Sequence, residues 1–573
     1  MTARNFLLFI IMMPIIACKQ SKNDSGKQDK QPVKETADMD MPVDEKEKKK
    51  NITDRDYSIT PDVAYNDIFL DSMAMENYIT QRSLADKKIA RRIRSFYNAR
   101  NYQYGWFSSD GLSEQARFFW NQYDYAVTHL KDSNLVNSEF YKNAEKYLNQ
   151  EKVTVSTKDI NLLNTELGFT EHFIRFINST YEKGYVKRKE QEKFIPIKKN
   201  DPVYLADSLL NKEHSDDKYY EQVNEMYAAL KNNLRLYIDI EKAGGFPNIP
   251  FIKGTLKKGA TEPVIKLVKQ RLRLSKDLPG NDTSTVFNDS LELAIKKFEK
   301  RHGYKEDGVI TPEIIREMNV SAARRLMQIL LNMDRMRWMP QKPAGNLIVV
   351  NIPEFILHVY DGKSRVFDMV VVVGKVGNNT MMFNGELSYI VFSPYWNVPP
   401  SIIKNEILPA MQRDPNYLAR KNMEKAGNGI RQKPGPGNAL GKVKFIFPNS
   451  FNMYFHDTPS KSFFSQDKRA FSHGCIRLSE PQKMAEWLLR NDPEWNREKI
   501  VAAMNQTSER MVQLKQQVPV FIIYYTAWVD DDGLLNFRDD VYQHDSKVIK
   551  RMFTIQPPVK LIKADNLQVS GTN

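Results

Sequence analysis

Two cysteines stand among 573 residues, Cys18 and Cys475, and the second sits where residue types and spacing could do chemistry. Tyr454-Phe455-His456-Asp457-Thr458-Pro459 is followed by Phe471-Ser472-His473-Gly474-Cys475-Ile476-Arg477-Leu478. A cysteine nucleophile needs an imidazole to raise its thiolate fraction, an unhindered backbone at the attacked carbonyl, and donors for the developing oxyanion. His456 ends a strand-like run and is placed to act as base. Gly474 admits close approach, and backbone N–H groups around Gly474 and Cys475 are available to a negative oxygen. Ser479-Glu480-Pro481 then opens a helix through Trp487 and Leu489. This predicts Cys475 just before a helix N-terminus, whose dipole favours a thiolate. A competing reading makes His456, His473 and Cys475 structural, or ligands of a zinc ion, although no outer carboxylate or fourth ligand is apparent. So few cysteines leave no disulfide framework, cysteine-rich zinc module or iron–sulfur cluster.

These residues need a frame, and the surrounding pattern is strand-like. Leu347–Ile352 and Phe355–Tyr360 alternate as strands, Asp361-Gly362 is a hairpin signal, and Val366–Val373 follows. Tyr389–Phe392 continues the sheet, Val443–Phe447 and Phe451–Phe455 pair across Pro448-Asn449-Ser450, and Val518–Trp528 with Leu534–Val541 form a late hairpin at Asp531-Asp532-Gly533. Residues 345–541 are therefore expected to form a mainly-β domain, with a tail at 542–573. Within it, 399–437 is a polar, partly helical insertion, a size that usually means a lid or binding element.

Upstream the period changes. From 61 to 245 the pattern is helical, with Ile89, Ile93 and Phe96-Tyr97 on one face and Leu162, Leu163, Phe169, Phe173, Phe176 and Ile177 on another. The aromatics from Phe96 to Phe107 read either as core or as a sugar-binding platform. Residues 256–319 form a compact three-helix unit in which Thr311 caps a helix and Pro312 takes its first position. Residues 320–342 hold one more amphipathic helix, stopped by Pro340. The fold class is multidomain α+β.

At the N-terminus, Met1-Thr2-Ala3-Arg4 is a short basic start, and the apolar run from Phe6 to Ile16, 11 residues, is far short of the ~20 needed to span a bilayer. Residues 1–18 read as a signal peptide. Ile15-Ile16-Ala17-Cys18 resembles a bacterial lipobox, which implies lipidation of Cys18; an incidental cysteine in a plain signal peptide is the alternative. Residues 19–60 are nearly devoid of large apolar residues and are expected to be a disordered tether. The 84 Lys and Arg against 70 Asp and Glu leave a charge of +14, which suits an anionic envelope polymer or lipid surface. With no zinc finger, basic zipper or RNA-binding signature, nucleic acid is not an expected partner.

Ser-His-Gly-Cys-Ile-Arg at 472–477, preceded by the spaced His456-Asp457, resembles the signature of the L,D-transpeptidase (YkuD-type) catalytic domain. Tyr395–Ile402 and Arg431–Gly441 also resemble it. The 256–319 unit resembles a peptidoglycan-binding domain, with a generic helical spacer as the alternative. Nearly the whole chain after the tether resembles the large murein L,D-transpeptidases of Gram-negative bacteria. The resemblance implies a periplasmic enzyme, anchored by lipid, in which Cys475 is the nucleophile and His456 the general base and acid. The Asp457 carbonyl would hold the imidazole tautomer, its side chain being structural. His473, Gly474 and the Cys475 N–H would line the oxyanion site. Arg477 would pair with a substrate carboxylate or brace the loop. Ser472 would contact substrate, and Tyr454 and Trp396 would be pocket walls or core.

The implied reaction attacks the third residue of a tetrapeptide stem, releases D-alanine and forms a 3→3 cross-link with a neighbouring amine, without metal or nucleotide cofactor. Peptidoglycan stem peptides and glycan are the implied partners, and carbapenems the implied covalent inhibitors. An L,D-carboxypeptidase, or a non-catalytic wall-binding lipoprotein, are the competing functions.

Overall fold

The computed structural model describes residues 52–554, apart from 83–86, 130, 134, 149, 151–152, 183–193, 212–220, 222–223 and 341–342. The signal peptide, Cys18 and residues 19–51 of the tether lie outside the described residues. The tether reaches less far than expected. Ile59 is 3% exposed, the Asp56 N–H donates to the Asn98 carbonyl (2.9 Å), and Asn101 Nδ2 donates to the Ile59 carbonyl (3.0 Å), so 52–60 is packed onto the helical region. One apolar residue with a matching recess suffices to dock a polar strip.

The helical region contains Ser72–Gln81, Lys87–Asn98, Glu114–Thr128, Ser138–Leu148, Ile160–Glu182, Pro202–Leu210 and Glu225–Lys242. Asp71, Ser113, Asp201 and Asn224 cap four of these by accepting first-turn N–H groups. The aromatics are core and not a sugar platform. Trp106 is fully buried, with ring centroids of Phe119, Phe169 and Phe173 5.4, 5.6 and 5.2 Å away. Beneath this cluster the Glu166 carboxylate accepts the N–H groups of Gly105 (2.6 Å), Trp106 (3.0 Å) and Phe107 (3.1 Å). That turn's donors are thereby satisfied in a buried interior.

The three-helix unit is Val264–Leu274, Asp289–His302 and Pro312–Met318, with Val268, Leu272, Leu291, Ile295 and Phe298 inward. Thr311 caps the last helix through the Ile314 N–H, and Pro312 opens it. The unit is tied to the late hairpin: Arg301 forms a two-point pair with Asp277 (both 2.6 Å) and donates to the Leu535 carbonyl (2.9 Å).

The β domain is a nine-stranded sheet that closes on itself, because Ser364–Gly374 pairs with Ile356–Asp361 along one edge and with Ile476–Leu478 along the other. Closure leaves few open edges to protect. Arg510–Ile523 lies in the middle, antiparallel to Phe383–Phe392 and parallel to Asn346–Asn351. Its end is apolar on both faces for a reason. Val520 and Ile522 point into the barrel core, whereas Phe521 and Ile523 point outward into the helical region's core. The expected strand Val518–Trp528 breaks at Tyr524–Thr526, where the backbone turns to bond the linking helix.

That helix, Ala322–Arg337, is capped by Ser321 and buried on nearly every side. Its apolar stripe, Leu326, Leu330 and Met333, joins the scaffold core. Its polar side chains join the parts: Asn332 exchanges hydrogen bonds with Thr526 of the β domain (2.9 and 3.0 Å), and Arg335 reaches Glu114 of the helical region (2.9 Å), Asp545 near the C-terminus (2.8 Å) and the Tyr524 carbonyl of the β domain (3.1 Å). Residues 542–554 are not a tail. His544–Met552 is a helix whose Val548, Ile549 and Met552 pack into the scaffold core, since that apolar stripe covers a groove next to the linking helix.

Replacing Arg335 with Met strands two buried carboxylates. The expected cost is about 3–5 kcal/mol, read as a lowered urea midpoint. An unchanged midpoint would show that Glu114 and Asp545 find other partners.

Candidate active site

Tyr454–His456 and Ile476–Leu478 lie side by side in parallel, with Phe455 opposite Ile476 and His456 opposite Arg477. Phe455 and Ile476 are buried in the barrel core, so the alternation of a strand sends Tyr454 and His456 to the opposite face, where Cys475 and Arg477 also emerge. The pattern places the imidazole and the thiol together without a special turn.

His456 is 4% exposed, and its Nδ1 lies 2.5 Å from the Asp457 carbonyl oxygen. Nδ1 therefore carries the proton and Nε2 the lone pair. Burial, then the charge of Arg477, pushes this imidazole down to about 4, so it is neutral at neutral pH. Asp457 uses its side chain elsewhere, accepting from the Thr458 N–H (2.7 Å), the Lys442 N–H (2.9 Å) and Lys461 Nζ (2.6 Å). The expected division between its carbonyl and its carboxylate matches this geometry.

Burial pushes the Cys475 thiol above its ordinary value, outweighing Tyr454, whose N–H and hydroxyl favour the thiolate, and Arg477. The expected helix dipole does not help. Cys475 runs into the strand Ile476–Leu478, and the helix begins only at Pro481, beyond the reach of a first turn. The thiol Sγ faces the Asn452 carbonyl at 3.9 Å, and no hydrogen bond joins it to His456 in this resting arrangement. Resting thiol and imidazole are thus both neutral.

The loop between the strands is held from within. Ser472 Oγ donates to the Cys475 carbonyl (2.6 Å) and accepts the Gly474 N–H (3.1 Å). Two expectations change as a result. Ser472 is buried and spent on the loop, not on substrate, and the Gly474 N–H is not available to an oxyanion. Gly474 has φ +119, a conformation that favours glycine. Among the described residues the Cys475 N–H donates to no acceptor. The His473 side chain is 43% exposed and turns to Glu406 in the insertion, Nε2 to Oε1 3.3 Å, away from His456 and Cys475.

Arg477 holds its guanidinium 5.9 Å from the Phe463 ring, and its Nε has no partner. Tyr454 sets its ring edge-on to His456, centroids 5.8 Å apart. Trp396 pairs with Gln432 in a small three-stranded sheet and packs on Val398, Ile402, Ile407 and Ile430, the insertion's own core. The insertion therefore begins at Trp396, ahead of the expected 399. Residues that the sequence did not single out are Asn452, Thr380 and Tyr542. Thr380 carried a weak signal, a Gly-Asn-Asn turn after Gly374; Tyr542 fell within the expected tail.

With this geometry in view, residues 345–501 match the L,D-transpeptidase catalytic domain. The chain carries an L,D-transpeptidase catalytic domain. Residues 91–234 match a scaffold domain, and residues 261–318 match a family described as "Putative peptidoglycan binding domain". A protein of Haemophilus influenzae named "Putative L,D-transpeptidase" is 30% identical over 302 residues, 47% of this chain and 59% of that protein. Among solved structures, an L,D-transpeptidase from Mycobacterium smegmatis is 16% identical, covering 32% of this chain and 60% of that one, TM-score 0.19. The L,D-transpeptidase LdtMt1 in complex with imipenem is 14% identical, covering 31% and 59%, TM-score 0.18. The L,D-transpeptidase match stops at 501, but the barrel needs Arg510–Ile523 to join its two halves.

In a Cys18→Ser variant, alkylation of Cys475 by iodoacetamide is expected to be slow at neutral pH and to climb only at a more alkaline pH than for an ordinary cysteine, because only the thiolate reacts and burial raises this thiol. A rate plateau between about pH 5 and 8 would instead reveal a thiolate–imidazolium pair.

Proposed function

We propose that this chain is a murein L,D-transpeptidase acting through a Cys475 acyl-enzyme on tetrapeptide stems, releasing D-alanine and forming 3→3 cross-links. The observation that carries this reading is the pairing of a neutral His456, its Nδ1 proton pinned by the Asp457 carbonyl, with Cys475 on the same strand face.

His456 Nε2 takes the thiol proton as Sγ attacks the stem carbonyl. The Cys475 N–H donates to the oxyanion. Collapse breaks the C–N bond, and His456 gives its proton to the departing D-alanine amine. A neighbouring stem's amine then attacks the thioester, loses a proton to His456, and the C–S bond breaks to restore the thiol. Both steps use one base in alternating protonation states. Arg477, with an unpartnered Nε beside the thiol, suits a stem carboxylate. A +14 chain with a peptidoglycan-binding module suits an anionic wall polymer and supports a setting in the cell envelope; the lipobox-like Ile15-Ile16-Ala17-Cys18 supports a periplasmic enzyme held by lipid on Cys18.

Incubation with a carbapenem should add the mass of one whole β-lactam to the wild-type chain, because ring opening loses no atoms. Cys475→Ala should remain unmodified and form no cross-linked stem dimer. An adduct on the Ala variant, or cross-linking that survives it, would remove Cys475 from the reaction. In cells given labelled palmitate, the wild-type chain should take up label and Cys18→Ser should not; an unlabelled wild type would leave Cys18 outside lipid attachment.

A further inference from the structure

The peptide unit between Gly474 and Cys475 carries the donor that the acyl-transfer reading assigns to the oxyanion, and its carbonyl is gripped from behind. Thr380 Oγ1 donates to the Gly474 carbonyl oxygen at 2.7 Å and accepts the Gly374 N–H at 2.8 Å. The Thr380 N–H donates to the Tyr542 hydroxyl at 3.2 Å, and that hydroxyl donates to the Gly374 carbonyl at 2.7 Å. Thr380 is 2% and Tyr542 4% exposed. Four backbone groups and two hydroxyls are thus knitted together behind the nucleophile, without room for exchange with water.

A trans peptide unit is planar, with its C=O and N–H pointing in opposite directions. Fixing the Gly474 carbonyl therefore fixes the direction of the Cys475 N–H. We propose that Thr380 and Tyr542 are positioning residues for acyl transfer, holding the Gly474 carbonyl so that the Cys475 N–H points at the reacting oxygen. The role rests on the proposed cysteine acyl transfer but adds residues outside the signature motif, one of them beyond the matched domain.

Three features support it. The Gly474 φ of +119 makes this peptide unit a conformational minority that its surroundings must hold. Gly374 admits the turn that delivers Thr380, since a Cβ there would come 2.0 Å from the Asn378 carbonyl oxygen and 2.8 Å from the Thr380 nitrogen. Burial pushes the Tyr542 hydroxyl up to about 12, so it stays a donor across the physiological range. Tyr542 itself is held, its N–H donating to the Tyr524 hydroxyl at 2.8 Å.

The test compares full-length wild type with Thr380→Val, Thr380→Ser and Tyr542→Phe, all close in volume. Two rates are measured on each: carbapenem acylation at saturation, which builds an oxyanion, and iodoacetamide alkylation of Cys475, which does not. Thr380→Val and Tyr542→Phe should slow acylation about 10- to 100-fold with half-saturating concentrations within about threefold, while alkylation stays within about twofold. Thr380→Ser should recover most of the acylation rate. Hydrogen exchange over 472–478 should quicken in Thr380→Val and not in Thr380→Ser. Acylation at the wild-type rate in both hydroxyl-deleted variants would overturn the positioning role while leaving the enzyme reading intact. So would equal loss of acylation and alkylation, or a Ser variant as slow as Val. A wild type that neither takes a carbapenem nor cleaves stems would instead bring down the acyl-transfer reading, and this proposal with it.

Discussion

A buried guanidinium joins the parts of this molecule. Arg335 lies between Glu114 of the scaffold, Asp545 of the C-terminal helix and the Tyr524 carbonyl of the barrel, all removed from water. Burial raises both carboxyls, and the attraction of Arg335 opposes it. Such a cluster costs desolvation that a hydrophobic replacement would not. What it contributes is exclusivity: three segments distant in sequence share one charge and fit only in one arrangement. The linking helix carries it, and so carries the relation between scaffold and barrel.

From that point bonded contacts run without interruption to the peptide unit before Cys475. Tyr524, held through its carbonyl by Arg335, bonds the Tyr542 N–H through its hydroxyl. Tyr542 bonds Gly374 and Thr380, and Thr380 bonds Gly474. Each link is short, buried and fully satisfied, which is how a loop with an unusual backbone angle is kept in one state. The energetic logic at the site is similar. Burial raises the thiol and lowers the imidazole, so the resting pair holds no charge separation. A neutral pair resists adventitious alkylation, because only the thiolate reacts.

The insertion has its own core and touches the 472–475 loop through Glu406 and His473. That contact is half-exposed, and a polar contact in such surroundings contributes little stability. It joins two elements without locking them. The peptidoglycan-binding module, in contrast, is fastened to the late hairpin by Arg301, whose pair with Asp277 is buried and two-pronged.

Local chemistry was legible in the chain itself. The cysteine motif, the base two residues beyond a strand start, the Thr311 cap and the hairpins at Gly362 and Gly533 depend on neighbours within a few residues, and periodicity or turn chemistry reports such neighbours directly. Most of the longer barrel strands were legible for the same reason; the first part of Phe383–Phe392, the polar first half of Arg510–Ile523 and the three-residue strands Ala470–Ser472 and Ile476–Leu478 were not, being too short or too weakly alternating to report a sheet. Other assignments failed where a partner was remote. Ser472 read as a substrate contact because its hydroxyl's partners appear only when the loop folds back. The thiol read as dipole-activated because spacing alone could not tell a short strand from the start of a helix. Tyr542 and the helix after it read as tail because their value lies in a groove made by residues more than a hundred positions earlier. The sequence by itself determined which residues can do the chemistry. Only the tertiary structure decided their protonation, their exposure and the direction of the Cys475 N–H, because burial and long-range hydrogen bonds set these and neither has a local signature.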